Sequence, residues 1–144
     1  MSASGEFSSG DLYGFQCCVR DFDLLLERWK ENPSDLAVRY SVVKAFELTF
    51  QMAVKTLIKY LEANSRRGDE VANLDFQDVI RLADQEGLLK DGWPKWRSYR
   101  ENRNRAAHMY REEIAAAVTA ALPDFAADAH VLLANLTRRV ERNG

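Results

Sequence analysis

The one histidine in the middle of the chain, His108, sits in a run that reads Arg-Glu-Asn-Arg-Asn-Arg-Ala-Ala-His-Met-Tyr over residues 100–110. An arginine grips phosphate with a planar fork of donors and keeps its charge at any working pH. A histidine titrates near neutrality and can move a proton. An asparagine can hold an imidazole or a phosphate oxygen. Arg103, Asn104 and His108 are therefore the parts for cleaving RNA without a metal, where the 2′-OH attacks its own phosphate. That reaction wants a base and an acid. One run supplies one histidine, and a two-fold dimer supplies two. The competing reading is a histidine placed for structure near a helix end.

Spacing constrains both readings. On an uninterrupted helix the five steps from Arg103 to His108 turn the chain by ~140°, so the two side chains diverge. They converge only if the helix ends between them or if the site lies between two chains. Asn104 and Arg105, four and three residues before His108, share its face more nearly. With 14 Arg and two His in the chain, Arg-x4-His arises by chance roughly 0.2 times. Requiring Tyr110 two places later lowers that to roughly 0.007, so the triple is informative where the pair is not.

Charge is concentrated in the same region. Between Lys95 and Arg111 six basic residues face one acidic residue, Glu101, so the segment carries +5 and the remainder −7 within a net charge of −2. The total excludes a generally basic nucleic-acid binder, but the distribution leaves room for a local phosphate-binding surface built on Arg100, Arg105 and Arg111. A solvated helix face is the plainer alternative. The interleaved aromatics are Trp93, Trp96, Tyr99 and Tyr110. Trp96, Tyr99 and Arg103 fall on one stripe, which marks some of them as core.

The rest of the composition narrows the class. Cys17 and Cys18 are adjacent, which rules out an ordinary disulfide framework, and two Cys with two distant His give no zinc spacing. No metal and no cofactor is expected. No apolar run approaches the length of a membrane span, and no basic segment followed by an apolar one opens the chain, so a cytoplasmic protein is the expectation. His130, among Ala and Leu, has no assigned role.

The elements that must position the run are helices. Three prolines and seven glycines, three of the latter before residue 15, leave too little punctuation for a many-stranded fold. Residues 1–10 are small and polar and are expected to be frayed; residues 11–144 form one domain. Phe15, Val19, Phe22, Leu25 or Leu26 and Trp29 predict a helix over about 11–31, closed by Asn32-Pro33. Ser34 offers an N-cap for a very long helix over about 35–63, with Tyr40, Val43, Phe46, Phe50, Leu57 and Leu61 on its stripe. Glu47, Gln51 and Lys55 line up as a polar stripe on it. After a polar connection, Asp75 caps a third helix that Gly87 closes. Pro94 suits the first turn of a fourth, over about 93–105. An Ala-rich helix over about 111–122 and a last one after Pro123-Asp124 complete an all-α, antiparallel up-and-down bundle of about five helices.

Three stretches resemble the HEPN superfamily, and within it the nucleotidyltransferase substrate-binding, or HepT-like toxin, family. The first is Arg-x4-His-x-Tyr at Arg103, His108 and Tyr110. The second is the long-helix stretch from Phe46-Glu47 to Tyr60-Leu61. The third is Asp78-Val79-Ile80-Arg81-Leu82-Ala83 followed by Gly87-Leu88-Leu89 and a Trp. The likeness covers about residues 12–140. It implies a HEPN-like bundle that homodimerises and a separately encoded minimal nucleotidyltransferase (MNT, MntA-like) as partner. It implies one of two roles. In the first, the chain is a metal-independent endoribonuclease toxin, with Arg103 and His108 catalytic and Asn104 assisting. The nucleotidyltransferase is then an antitoxin that adds AMP to Tyr110. In the second, the chain is a non-catalytic subunit that presents substrate to the nucleotidyltransferase. Ala106, Ala107, Arg111, Gln51 and Val54 depart from residues common in the family.

Overall fold

A computed structural model describes residues 6–143. Among the described residues there are six α-helices and no strand: α1 Tyr13–Glu31, α2 Leu36–Asn64, α3 Phe76–Gln85, α4 Trp93–Arg105, α5 Glu112–Ala120 and α6 Leu122–Asn143, with 3-10 turns before α1, between α2 and α3, and between α4 and α5. The Ala-rich segment and the last helix are thus separate helices, divided at Ala121, with Pro123 in the first turn of α6, where its missing N–H costs no hydrogen bond. Of the N-terminal segment, residues 1–5 lie outside the described part. Residues 6–10 are held rather than frayed: Ser8 and Asp11 close a capping box on a 3-10 turn, and the Phe7 ring packs edge-on against Tyr60 at 5.3 Å.

The 29 residues of α2 span ~43 Å and carry the core. Val42, Val43, Phe46, Phe50, Ala53, Leu57 and Leu61 are buried along it, against Phe15, Val19, Phe22 and Leu26 of α1. Tyr40, on the stripe expected to be inward, is 45% exposed, because the buried stripe of α2 begins two residues later. The cap is also one residue later than expected. Asp35 accepts from the Val38 N–H, while the Ser34 hydroxyl donates to Asn32. The short connection folds α1 and α2 into an antiparallel hairpin, and α6 closes against both.

At the centre Phe125 of α6 meets Phe22, Phe46, Phe50, Trp96 and Tyr99 with ring centroids 5.0–6.2 Å apart. Offset and edge-on pairs of this kind add ~0.5–1.5 kcal/mol each beyond the burial itself. The cluster fixes α4, which contributes Trp96 and Tyr99, against α2 and α6. The stretch Glu112–Asn143 is apolar enough to resemble a membrane span by composition. Leu122, Phe125, Leu132 and Leu136 of that stretch are instead buried in the bundle, and Ile114 and Leu133 are partly buried against it.

Short motifs read from the chain take their expected shapes on α3. The Asp75 side chain accepts from the Asp78 N–H, and Gly87 follows the helix with φ +75°, a left-handed conformation only glycine adopts cheaply. Gly68 has a different reason. A Cβ there would lie 2.5 Å from the Glu62 carbonyl, so the polar connection after α2 folds back too closely for any other residue.

Candidate functional site

α4 ends at Arg105, and residues 106–108 continue as a single 3-10 turn. The helix therefore stops between Arg103 and His108. The turn is pinned by Met109, 3% exposed in the core between two exposed neighbours, His108 and Tyr110. Burying the middle residue turns both its neighbours outward. The Arg111 N–H closes the turn on the His108 carbonyl at 3.0 Å. Downstream, Glu112 in the first turn of α5 accepts from both Nη atoms of Arg39 on α2, at 2.8 and 3.4 Å. This bidentate pair ties the N-termini of α2 and α5 together just beyond the turn.

Upstream, α4 is anchored by a buried polar group. Tyr99 donates its hydroxyl to Asp128 of α6, and the other Asp128 oxygen accepts the Asp91 N–H at 3.2 Å. Asp128 is 1% exposed. Burial holds its carboxyl above the ordinary value, with the Asp91 charge adding to this and the Tyr99 hydrogen bond opposing it. Burial beside that carboxyl also pushes the Tyr99 phenol far up, so Tyr99 remains a donor.

The run of positive charge divides once its partners are known. Lys95 pairs with Asp124 at 2.7 Å, Arg97 with Glu101 at 3.2 Å, and Arg111 with Glu113 at 3.0 Å. Arg100, Arg103 and Arg105 have no carboxylate within 4 Å among the described residues. Arg105 reaches the Asn102 side chain at 3.4 Å. Asn104 is exposed on the same last turn. Arg100 lies over the rings of Phe76, 4.8 Å from the centroid, and Trp93, 5.6 Å away; Arg103 lies 6.0 Å from the Phe50 centroid.

These two arginines roof a cleft of about 450 Å³, well inside the ~300–1,000 Å³ range of small-ligand sites. Phe50, Val54 and Ile58 of α2 and Phe76 of α3 form its apolar floor, with Gln51 and Lys55 on the rim. Two members of the Glu47–Gln51–Lys55 stripe thus face the cleft. None of the four floor residues is among the site residues expected from the sequence. Their signal was present in the spacing of Phe50, Val54 and Ile58 at steps of four, but that spacing equally marks a core stripe.

His108 is outside the cleft lining and makes no hydrogen bond to Arg103. Its nearest polar partner is Tyr110, whose hydroxyl lies 3.5 Å from His108 Nδ1, with ring centroids 6.0 Å apart. Tyr110 is 73% exposed. One chain thus presents Arg100 and Arg103 at the cleft and His108 with Tyr110 on the adjoining turn. Among the described residues no three His, Cys, Asp or Glu side chains gather at metal-binding geometry. The two cysteines are free and half-buried, and His130 pairs with Asp23 of α1 at 2.7 Å.

The described residues thus form an all-helical bundle with a cationic cleft and an exposed Arg-x4-His-x-Tyr turn, in keeping with the expected HEPN-like helical domain. Residues 11–138 match the family described as nucleotidyltransferase substrate binding protein like, and the chain belongs to that family. It is 32% identical over 97 residues to a Haemophilus influenzae protein named "Probable ribonuclease HepT"; the match spans 67% of this chain and 66% of that protein. A solved Haemophilus influenzae structure, described as the fold of a substrate binding domain of a nucleotidyltransferase, superposes with a TM-score of 0.80. It has 25% identity and covers 88% of this chain and 98% of the other.

Proposed function

We propose that the protein is a metal-independent endoribonuclease of toxin type, acting in the cytoplasm as a homodimer and restrained by a minimal nucleotidyltransferase. The observation that carries this reading is the end of α4 at Arg105, which releases His108 onto an exposed turn that follows Arg103 and Arg105, two arginines with no carboxylate within 4 Å among the described residues. The likeness to a relative named as a probable ribonuclease supports it. A two-fold dimer would bring two such turns to one phosphate. One His108 takes the proton of the 2′-OH as its oxygen attacks phosphorus. The other gives a proton to the departing 5′-oxygen, leaving a 2′,3′-cyclic phosphate and a 5′-hydroxyl. Arg103 holds the charge that grows on the phosphate oxygens, and Asn104 orients the group beside it.

The exposed Tyr110 hydroxyl is the acceptor for AMP. Its oxygen attacks the α-phosphorus of ATP, the phenolic proton is lost, and pyrophosphate leaves. The bulky anion then sits within reach of His108 and keeps RNA out. The family description and the neighbour described as a substrate binding domain support a second role, a subunit that presents substrate to the nucleotidyltransferase without chemistry of its own.

The two roles part on one experiment. His108→Ala and Arg103→Ala should each lower cleavage of single-stranded RNA by at least ~100-fold, with wild-type activity unchanged by EDTA. Wild-type protein that cleaves no RNA would leave only the binding role, and variants that cleave as well as wild type would remove His108 and Arg103 from the chemistry. Intact mass after co-expression with the nucleotidyltransferase reads the AMP addition, which Tyr110→Phe should abolish.

A further inference from the structure

We infer that the cleft between α2, α3 and α4 is a subsite for one unstacked nucleotide, whose base enters the apolar floor while its phosphate lies on Lys55, Arg100 and Arg103. The RNA in this inference rests on the ribonuclease reading; the chemistry of the cleft does not. The floor is formed by Phe50, Val54, Ile58 and Phe76, and among the described residues no acidic side chain lines it. Lys55, Arg100 and Arg103 have no carboxylate within 4 Å among the described residues. An apolar peptide side chain would fill the floor and leave three cations unanswered. Free phosphate would answer the cations and leave the floor wet. A planar, apolar group that carries a phosphate satisfies both halves at once.

The geometry of the arginines suits a base. The Arg100 guanidinium, planar by its own delocalisation, lies 4.8 Å from the Phe76 ring centroid at the mouth of the cleft. Unpaired bases are held by stacking on aromatic rings and on guanidinium planes of this kind, with little dependence on which base is present. In a duplex the base is already stacked and paired, so the cleft admits only single-stranded or looped RNA. Arg103 belongs both to the cleft and to the Arg-x4-His motif. A base seated in the cleft therefore places its own phosphate on an arginine that also belongs to the proposed reacting centre, and the subsite sets which strand conformation is cut.

The test needs no turnover. Wild-type protein is titrated with adenosine and uridine 5′-monophosphates, adenosine and ribose 5-phosphate, following chemical shifts or tryptophan emission. Both monophosphates should bind at least ~10-fold more tightly than adenosine or ribose 5-phosphate. Val54→Trp fills the floor and Ile58→Glu places a carboxylate on it. Each, shown folded by circular dichroism, should weaken monophosphate binding at least ~10-fold. Ribose 5-phosphate binding as tightly as the nucleotides, or two folded variants with unchanged affinity, overturns the subsite. RNA cleavage is measured on the same preparation. Cleavage by protein that binds the monophosphates no better than ribose 5-phosphate removes the subsite and leaves the ribonuclease, whereas monophosphate binding without cleavage keeps the subsite and removes the ribonuclease.

Discussion

Replacing Tyr99 by Phe removes one hydroxyl from the core and little else. The ring is 1% exposed and is held by Trp96 and Phe125 at 5.6 and 5.2 Å, contacts that Phe preserves, so no cavity opens. What is lost is a hydrogen bond to Asp128, a carboxylate that is itself 1% exposed. A buried bond to a charged acceptor contributes about 1.5–3 kcal/mol, or ~4–10 °C in melting temperature for a chain of this length. The pH dependence follows from linkage. Burial raises the Asp128 carboxyl above its ordinary 3.8, so the folded state keeps a proton that the unfolded state has lost. Between 3.8 and the raised value, the contribution of this group to stability falls as pH rises. Above the raised value the full cost of the buried charge persists. Tyr99 pulls the carboxyl down, so Tyr99→Phe lifts it further and extends that window upward. The variant should therefore lose more stability at neutral pH than in acid, where Asp128 becomes protonated. Urea unfolding followed by circular dichroism at several pH values measures this. A loss below ~0.5 kcal/mol near pH ~7.5, or a gap that widens as pH falls, refutes the reasoning.

Two further variants probe what holds the candidate site. Met109→Ala empties the pin under the turn and should cost about 2–4 kcal/mol; amide exchange at residues 106–110 should rise more than in α1, and equal rises would show that the turn is not separately anchored. Gly87→Ala forces a Cβ into a φ of +75°. It should lower stability by about 1–2 kcal/mol in thermal melts, even though the nearest atom, on Arg139, is 3.6 Å away in ordinary contact. The dimer proposed for catalysis is checked by sizing the wild-type protein: a mass twice the 16.5 kDa chain is expected, and a monomer at working concentration counts against a shared cleft.

Local signals determined most of the helices. Pro94 and the charge-rich run set α4 at the expected residues, and Asp75 and Gly87 bracket α3, because caps and backbone conformation depend on neighbours in sequence. The Arg103, His108 and Tyr110 triple was legible for the same reason: it is a local spacing of unusual residue types. Tertiary structure decided the rest. Tyr40 fits the period of α2 but has no element packed over it, and Phe7 lies in a polar segment yet finds Tyr60. The +5 segment looked uniform in sequence. Lys95 is paired with Asp124, 29 residues away, while Arg100 and Arg103 have no such partner among the described residues and stand over a cleft floored by α2 and α3. Charge compensation and cavity walls depend on residues that meet only after the chain has folded, so residue order alone could name the arginines but could not say which of them remain available to a phosphate.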